Sequence, residues 1–136
     1  MDRIILNRLD YARIKKCISD ARNFNSINKA EADKLMMELD SATIVEPKDI
    51  PSNVVTMNSI VKLSFLNNNK QIQFQIVYPD QANLKENKIS IFSPIATALI
   101  GYRDKDEIEW IVPSGLTKLR IDEIVYQPEA AGDYNL

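Results

Sequence analysis

Pro47 and Pro51, in the segment EPKDIPS, separate two stretches of chain whose apolar residues recur with different periods. Before them, Tyr11, Ile14, Ile18 and Ala21 are spaced three, four and three apart with Cys17 beside them, and Ala32, Leu35, Leu39 and Ala42 repeat that spacing. A period near 3.6 puts each set on one face of a helix. Asn7 with Asp10, and Asn28 with Glu31, stand at the two helix starts, where a capping side chain and an acid three residues on satisfy free amides and the positive end of the helix dipole. The joint ARNFNSI is short enough to force a reversal, so residues 8–43 read as an antiparallel helical hairpin inside an N-terminal unit spanning 1–45. The stripes are narrow and match the seam of a two-helix coiled coil, burying each other and leaving the outer faces wet.

Residues 46–53 read as a linker, and beyond it the period falls to two. Val61, Leu63 and Phe65 alternate with Ser or Lys; Ile72, Phe74, Ile76 and Tyr78 alternate with glutamines. Asparagines between them can take positive φ, which makes the pair a hairpin. KISIF (88–92) is a third strand, and SPIATALIG (93–101) reads as a short helix with Ser93 as N-cap, Pro94 in the first turn and Gly101 as C-cap. Two further strands, hinged at Pro113-Ser114-Gly115, turn Ile108, Trp110, Val112, Leu119, Ile121 and Ile124 inward. The expectation is an α+β domain over 54–136, a curved sheet of five antiparallel strands wrapped on one short helix.

Composition removes several classes of function. With no histidine, Ser-His-Asp and Cys-His catalytic sites and His-bearing zinc sites are excluded. The three glycines, Gly101, Gly115 and Gly132, are too far apart for a phosphate-cradling loop. A net charge of −2 supplies no field for gripping nucleic acid, so strong direct binding to DNA or RNA is not expected. The single Cys17 cannot form an internal disulfide and reads as a packing residue; no apolar run is long enough to cross a bilayer, and the N-terminus lacks the apolar core of a secretory signal. A cytoplasmic protein without metal, cofactor or catalytic residues is the resulting expectation.

The order ISIFSPIATALIG, then DKDEIEWIVPSG, then a last strand ending IVY, resembles the C-terminal domain of the GreA/GreB transcript cleavage factors over residues 54–127. VVTMNS at 54–59 and YQPEAAGDY at 126–134 are similar to the Rnk family, regulators of nucleoside diphosphate kinase, which likewise pair a short helical hairpin with a Gre-like domain. The resemblance implies an FKBP-like fold and binding to RNA polymerase at the rim of its secondary channel, with the hairpin pointing in. The residues matching the Gre docking motif are Ser93 and Pro94. Phe92 precedes them where Gre factors often carry an acid, which suggests an apolar contact. Helix capping explains the same serine and proline structurally, and the two roles are compatible.

Gre factors cleave RNA by carrying acids at the hairpin tip into the polymerase active site, where they help to hold a second Mg²⁺. Here the tip offers Asp20, but Asn23 stands where its partner would be, followed by Phe24. Helices of about 14 residues also reach only about 21 Å, far less than the Gre arms. The reading is a non-enzymatic polymerase-binding regulator that competes with Gre factors and does not cleave transcripts. Two alternatives stand beside it: an effect on nucleoside diphosphate kinase and nucleotide pools, direct or indirect, and a peptidyl-prolyl isomerase using Trp110, Phe65, Phe74 and Tyr78, whose alternation the core already explains. The tail, residues 121–136, holds four acids and no lysine or arginine. Tyr126 should end the last strand, Pro128 stop its pairing, and EAAGD make one turn closed by Gly132, with the tail and Tyr134 lying against the body.

Overall fold

The computed structural model describes residues 4–23, 29–112 and 115–133. The helical hairpin is present as α1 (Arg8–Asn23) and α2 (Lys29–Ser41). Ile14, Ile18, Ala21, Ala32, Leu35 and Leu39 are buried, as their spacing demands, and Tyr11 and Ala42 pack at the margin. Asn7 caps α1 by accepting the Asp10 amide at 2.8 Å. The buried residues of the two helices belong to the same continuous cluster as Val61, Leu63, Phe74, Ile76, Leu99, Leu119 and Ile121, so the stripes share one core with the sheet. Readings for Phe24, Asn28, the Asn23 and Glu31 side chains, the Trp110 and Val112 side chains, the Pro113-Ser114 hinge and Tyr134 fall outside the described residues.

Two short strands flank the hairpin: β1 (Ile5–Asn7) and β2 (Thr43–Val45) pair in parallel, Leu6 opposite Ile44. The two helices form the crossover that parallel pairing needs, and they bring Ile5 and Thr43, 38 residues apart, side by side. Neither shows in the sequence, since three residues are too few to display a period.

The main sheet follows the linker, which carries a 3₁₀ turn at Pro47–Asp49. Its strands are β3 (Ile60–Phe65), β4 (Lys70–Val77), β5 (Lys88–Ser90), β6 (Glu107–Val112) and β7 (Gly115–Tyr126), in the order β5-β4-β3-β7-β6. β3 lies antiparallel to both β4 and β7, with Leu63 between Ile72 and Ile121. The β3–β4 turn closes with Asn69 at φ 57°, as the asparagine run requires. One expectation is overturned: β5 runs parallel to β4, Ile89 beside Ile76, so the sheet is mixed rather than wholly antiparallel. The cause is the connection: 3₁₀ turns at Pro79–Gln81 and Leu84–Glu86, followed by left-handed Asn87, carry the chain out and back.

Helix α3 (Pro94–Leu99) packs Ile95, Ala96 and Leu99 into the core. Ser93 takes the N-cap position, but its side chain makes no capping bond; the backbone alone starts the helix, Thr97 N–H donating to the Ser93 carbonyl at 3.0 Å. Ile100 is the C-cap, and Gly101 follows it at φ 83°. The Gly101 amide donates to the Val55 carbonyl at 2.9 Å and its carbonyl accepts from Ile5 at 3.1 Å. A Cβ there would stand 2.6 Å from Ile4 Cβ, so both dihedral and space demand glycine. Gly132 also has positive φ (81°), but nothing lies within 4 Å of its would-be Cβ. Gly101→Ala should therefore cost about 2–4 kcal/mol, strain plus overpacking, and Gly132→Ala about 1 kcal/mol; urea unfolding midpoints read the difference, and equal losses would contradict it.

Candidate functional site

The segment between β5 and α3 is held by its own backbone. The Phe92 amide donates to Ser90 Oγ at 3.0 Å and the Ser93 amide to the Ser90 carbonyl at 2.9 Å. Thr97 Oγ1 donates to the Ile91 carbonyl at 2.8 Å, tying the helix to the strand before it. Phe92 and Ser93 are half-buried and Pro94 is exposed; Phe92 packs on the core edge and turns a face outward.

A trough runs along the flank of α1 beside this segment. It consists of two adjoining cavities of about 380 and 420 Å³ that share Lys16, Cys17 and Asp80. The second is lined by Asp20, Ala21, Pro79 and Phe92 as well. Asp20, exposed near the end of α1, and Phe92 thus border one depression, although 72 residues separate them in sequence. No group of three or more Cys, Asp or Glu residues suited to a metal occurs among the described residues. Cys17 is half-buried; burial, with Asp80 and Asp20 nearby, pushes its thiol pKa up, which disfavours the reactive thiolate.

At the other end of α1, polar groups from four segments converge. Asp10 is 2% exposed. Its Oδ2 accepts the Met57 amide at 3.1 Å and its Oδ1 the Tyr78 hydroxyl at 3.3 Å. Sequence reasoning assigned Asp10 to the helix cap; its carboxyl instead turns inward, and no local pattern foretells this because its partners lie 47 and 68 residues away. Beside it, Asn7 Nδ2 donates to Glu129 Oε2 at 2.7 Å and Thr56 Oγ1 to Glu129 Oε1 at 2.8 Å. Thr56 spends its one hydroxyl proton on Glu129, so at the 2.9 Å Thr56–Ser59 contact the serine must be the donor.

The tail carries Glu129 to this point. Gln127, 4% exposed, donates from Nε2 to the Pro51 and Val54 carbonyls, both at 2.7 Å, and accepts the Ala130 amide at 3.1 Å. The Asp133 amide donates to the Pro128 carbonyl at 2.7 Å, and the Tyr126 hydroxyl to Asp133 Oδ2 at 2.5 Å. That last bond pushes the Tyr126 pKa up to about 12. The tail as far as Asp133 is thus ordered against the body, and β7 ends at Tyr126.

A mixed helix and sheet fold built this way is the architecture of Gre-type transcription factors, and sequence comparison agrees. The family model "Transcription elongation factor, GreA/GreB, C-term" matches residues 50–126. The transcription elongation factor GreA of Psychrobacter sp. (strain PRwf-1) is 31% identical over 90% of this chain and 87% of its own. A solved GreA/GreB elongation factor from Nitrosomonas europaea superposes with a TM-score of 0.73 at 33% identity, covering 93% of this chain and 100% of that one. The regulator of nucleoside diphosphate kinase of Escherichia coli (strain K12) is 39% identical over 98% of this chain and 96% of its own. The chain belongs to the GreA/GreB family, on the branch of the regulators of nucleoside diphosphate kinase.

The buried carboxyl has a pH consequence. Burial, reinforced by the Glu129 charge, raises the Asp10 pKa from 3.8 to about 7, against the opposing effects of the Met57 and Tyr78 hydrogen bonds and of Arg13. Below pH 4 the carboxyl is protonated in both folded and unfolded chains. Between pH 4 and 7 only the unfolded chain ionises, so stability falls by up to about 1.4 kcal/mol per pH unit, about 4 kcal/mol at most in total. Asp10→Asn removes this contribution. Its unfolding free energy relative to the wild type should rise by several kcal/mol between pH 4.5 and 7.5 in urea titrations; a difference independent of pH would contradict the assignment.

Proposed function

We propose that the protein is a non-enzymatic regulator that binds RNA polymerase at the rim of the secondary channel through Phe92, Ser93 and Pro94, competes there with Gre factors and cleaves no transcript. The observation that carries this reading is a Gre-type domain joined to a short arm, its first helix described over Arg8–Asn23, 16 residues, and its second starting at Lys29. At 1.5 Å per residue that helix is about 24 Å long. Metal-assisted cleavage needs paired carboxylates around a cation, and the sequence has no acid between Asp20 and Glu31. Phe92 and Pro94 supply a rigid aromatic and cyclic surface of the kind that anchors protein interfaces.

The expected result is that the tagged chain retains core RNA polymerase, that excess GreA displaces it, and that Phe92→Asp and Pro94→Ala weaken retention at least tenfold, with thermal unfolding showing that the variants fold. Backtracked complexes should release no dinucleotide in its presence. Retention unaffected by GreA, or dinucleotide release lost in Asp20→Ala, would overturn the reading.

A second reading is favoured by the name of the 39%-identical relative: an effect on nucleoside diphosphate kinase. A kinase assay with purified components and no polymerase separates a direct effect from one passing through transcription.

A further inference from the structure

The first cavity of the trough, about 380 Å³, is lined by Arg13, Lys16 and Cys17 of α1, by Tyr78, Asp80 and Gln81 after β4, and by Asn58. Asn58 is 8% exposed and holds a left-handed backbone at φ 67°. Both its backbone groups are satisfied: the amide donates to the Ile76 carbonyl at 2.6 Å and the carbonyl accepts Gln75 Nε2 at 2.9 Å. No buried side-chain nitrogen or oxygen among the described residues lacks a partner, so the Asn58 carboxamide, which lines the cavity, is open to it rather than sealed in the interior. A carboxamide at a cavity wall keeps its donor and acceptor for whatever fills the cavity.

The other walls define what would pair with it. Tyr78 lines the cavity, its hydroxyl held by Asp10 at 3.3 Å and by Arg13. Lys16 and Arg13, three residues apart on α1, bring positive charge to the same opening. We propose that this trough binds a nucleoside monophosphate, its base lying against Tyr78 with an edge on the Asn58 carboxamide and its phosphate held by Lys16 and Arg13. A carboxamide offers a donor and an acceptor side by side, the complement of a base edge. An aromatic face stacks bases irrespective of sequence, and Lys with Arg is the usual cradle for phosphate. The volume lies in the range of small-ligand sites. Asp80 sits between the two cavities and Asp20 lines the second, so a longer phosphate chain would run into like charge; one phosphate fits better than three.

Titrating the full chain, labelled with ¹⁵N, with the four nucleoside 5′-monophosphates, the corresponding nucleosides and triphosphates, and inorganic phosphate tests this. At least one monophosphate should give saturable shifts at the Asn58 side chain, Lys16 and Tyr78, with the nucleoside and phosphate alone binding at least tenfold more weakly and the triphosphate no more tightly. Asn58→Gly, which keeps the left-handed backbone, and Lys16→Ala should each weaken binding about tenfold, the loss expected when one partner of a polar contact is removed, with other resonances unmoved. No saturable shift at millimolar ligand, binding of inorganic phosphate as tight as that of the nucleotide, or undiminished affinity in both variants would overturn the proposal.

Discussion

A carboxyl group taken out of water where the helical hairpin meets the sheet sets the terms for the rest of this fold. Asp10 reaches the Met57 amide and the Tyr78 hydroxyl only if the first turn of α1, the 56–59 turn and the end of β4 stand in one arrangement. Hydrophobic burial is non-directional and would accept α1 at several rotations and heights. A buried polar group is less tolerant, since leaving it unpaired costs more than a made bond returns. The apolar stripe brings α1 to the sheet, and Asp10 fixes its register.

Glu129 extends the same logic to the tail. Its two oxygens take Asn7 and Thr56, one group on each side of the junction, while Gln127 reaches the Pro51 carbonyl of the linker and the Val54 carbonyl just after it. The end of the chain thereby closes over both its beginning and its middle. Gly101, just past the end of α3, adds a backbone link: its amide and carbonyl bridge Val55 and Ile5, and the contact with Ile4 leaves no room for a side chain. The base of the hairpin is therefore fastened by side chains at Asp10 and, through Ile5 of β1, by backbone at Gly101.

The features legible in the sequence are those written in neighbouring residues. The stripes Ile14-Ile18-Ala21 and Ala32-Leu35-Leu39, the alternation through Val61, Leu63 and Phe74, the positive φ near Asn69 and the break at Pro128 all follow from local periods and dihedral limits. What was missed depends on where the chain goes between segments. The parallel course of β5 is decided by the double turn over residues 79–87, and the β1–β2 pair by the closure of the hairpin. The inward turn of Asp10 and the exposure of the Asn58 carboxamide to a cavity are properties of partners far away in sequence. Asn7 alone would have placed Asp10 in a cap, and the cap is real, but the backbone amide of Asp10 makes it and the carboxyl is free for other work.

The trough joins these threads. Its inner wall is Tyr78, whose hydroxyl belongs to the Asp10 junction, and its outer rim is Phe92, at the start of α3. An occupant of the inner cavity and a protein bound over Phe92 would therefore share Lys16, Cys17 and Asp80 as common walls. Where binding at one changes affinity at the other, the coupling is the same size in both directions. If a nucleotide in the inner cavity weakens polymerase binding by about fivefold, the polymerase-bound chain holds that nucleotide about fivefold less tightly. On the two proposals above, a nucleotide at Asn58 and Tyr78 would adjust how strongly the Phe92 surface is used.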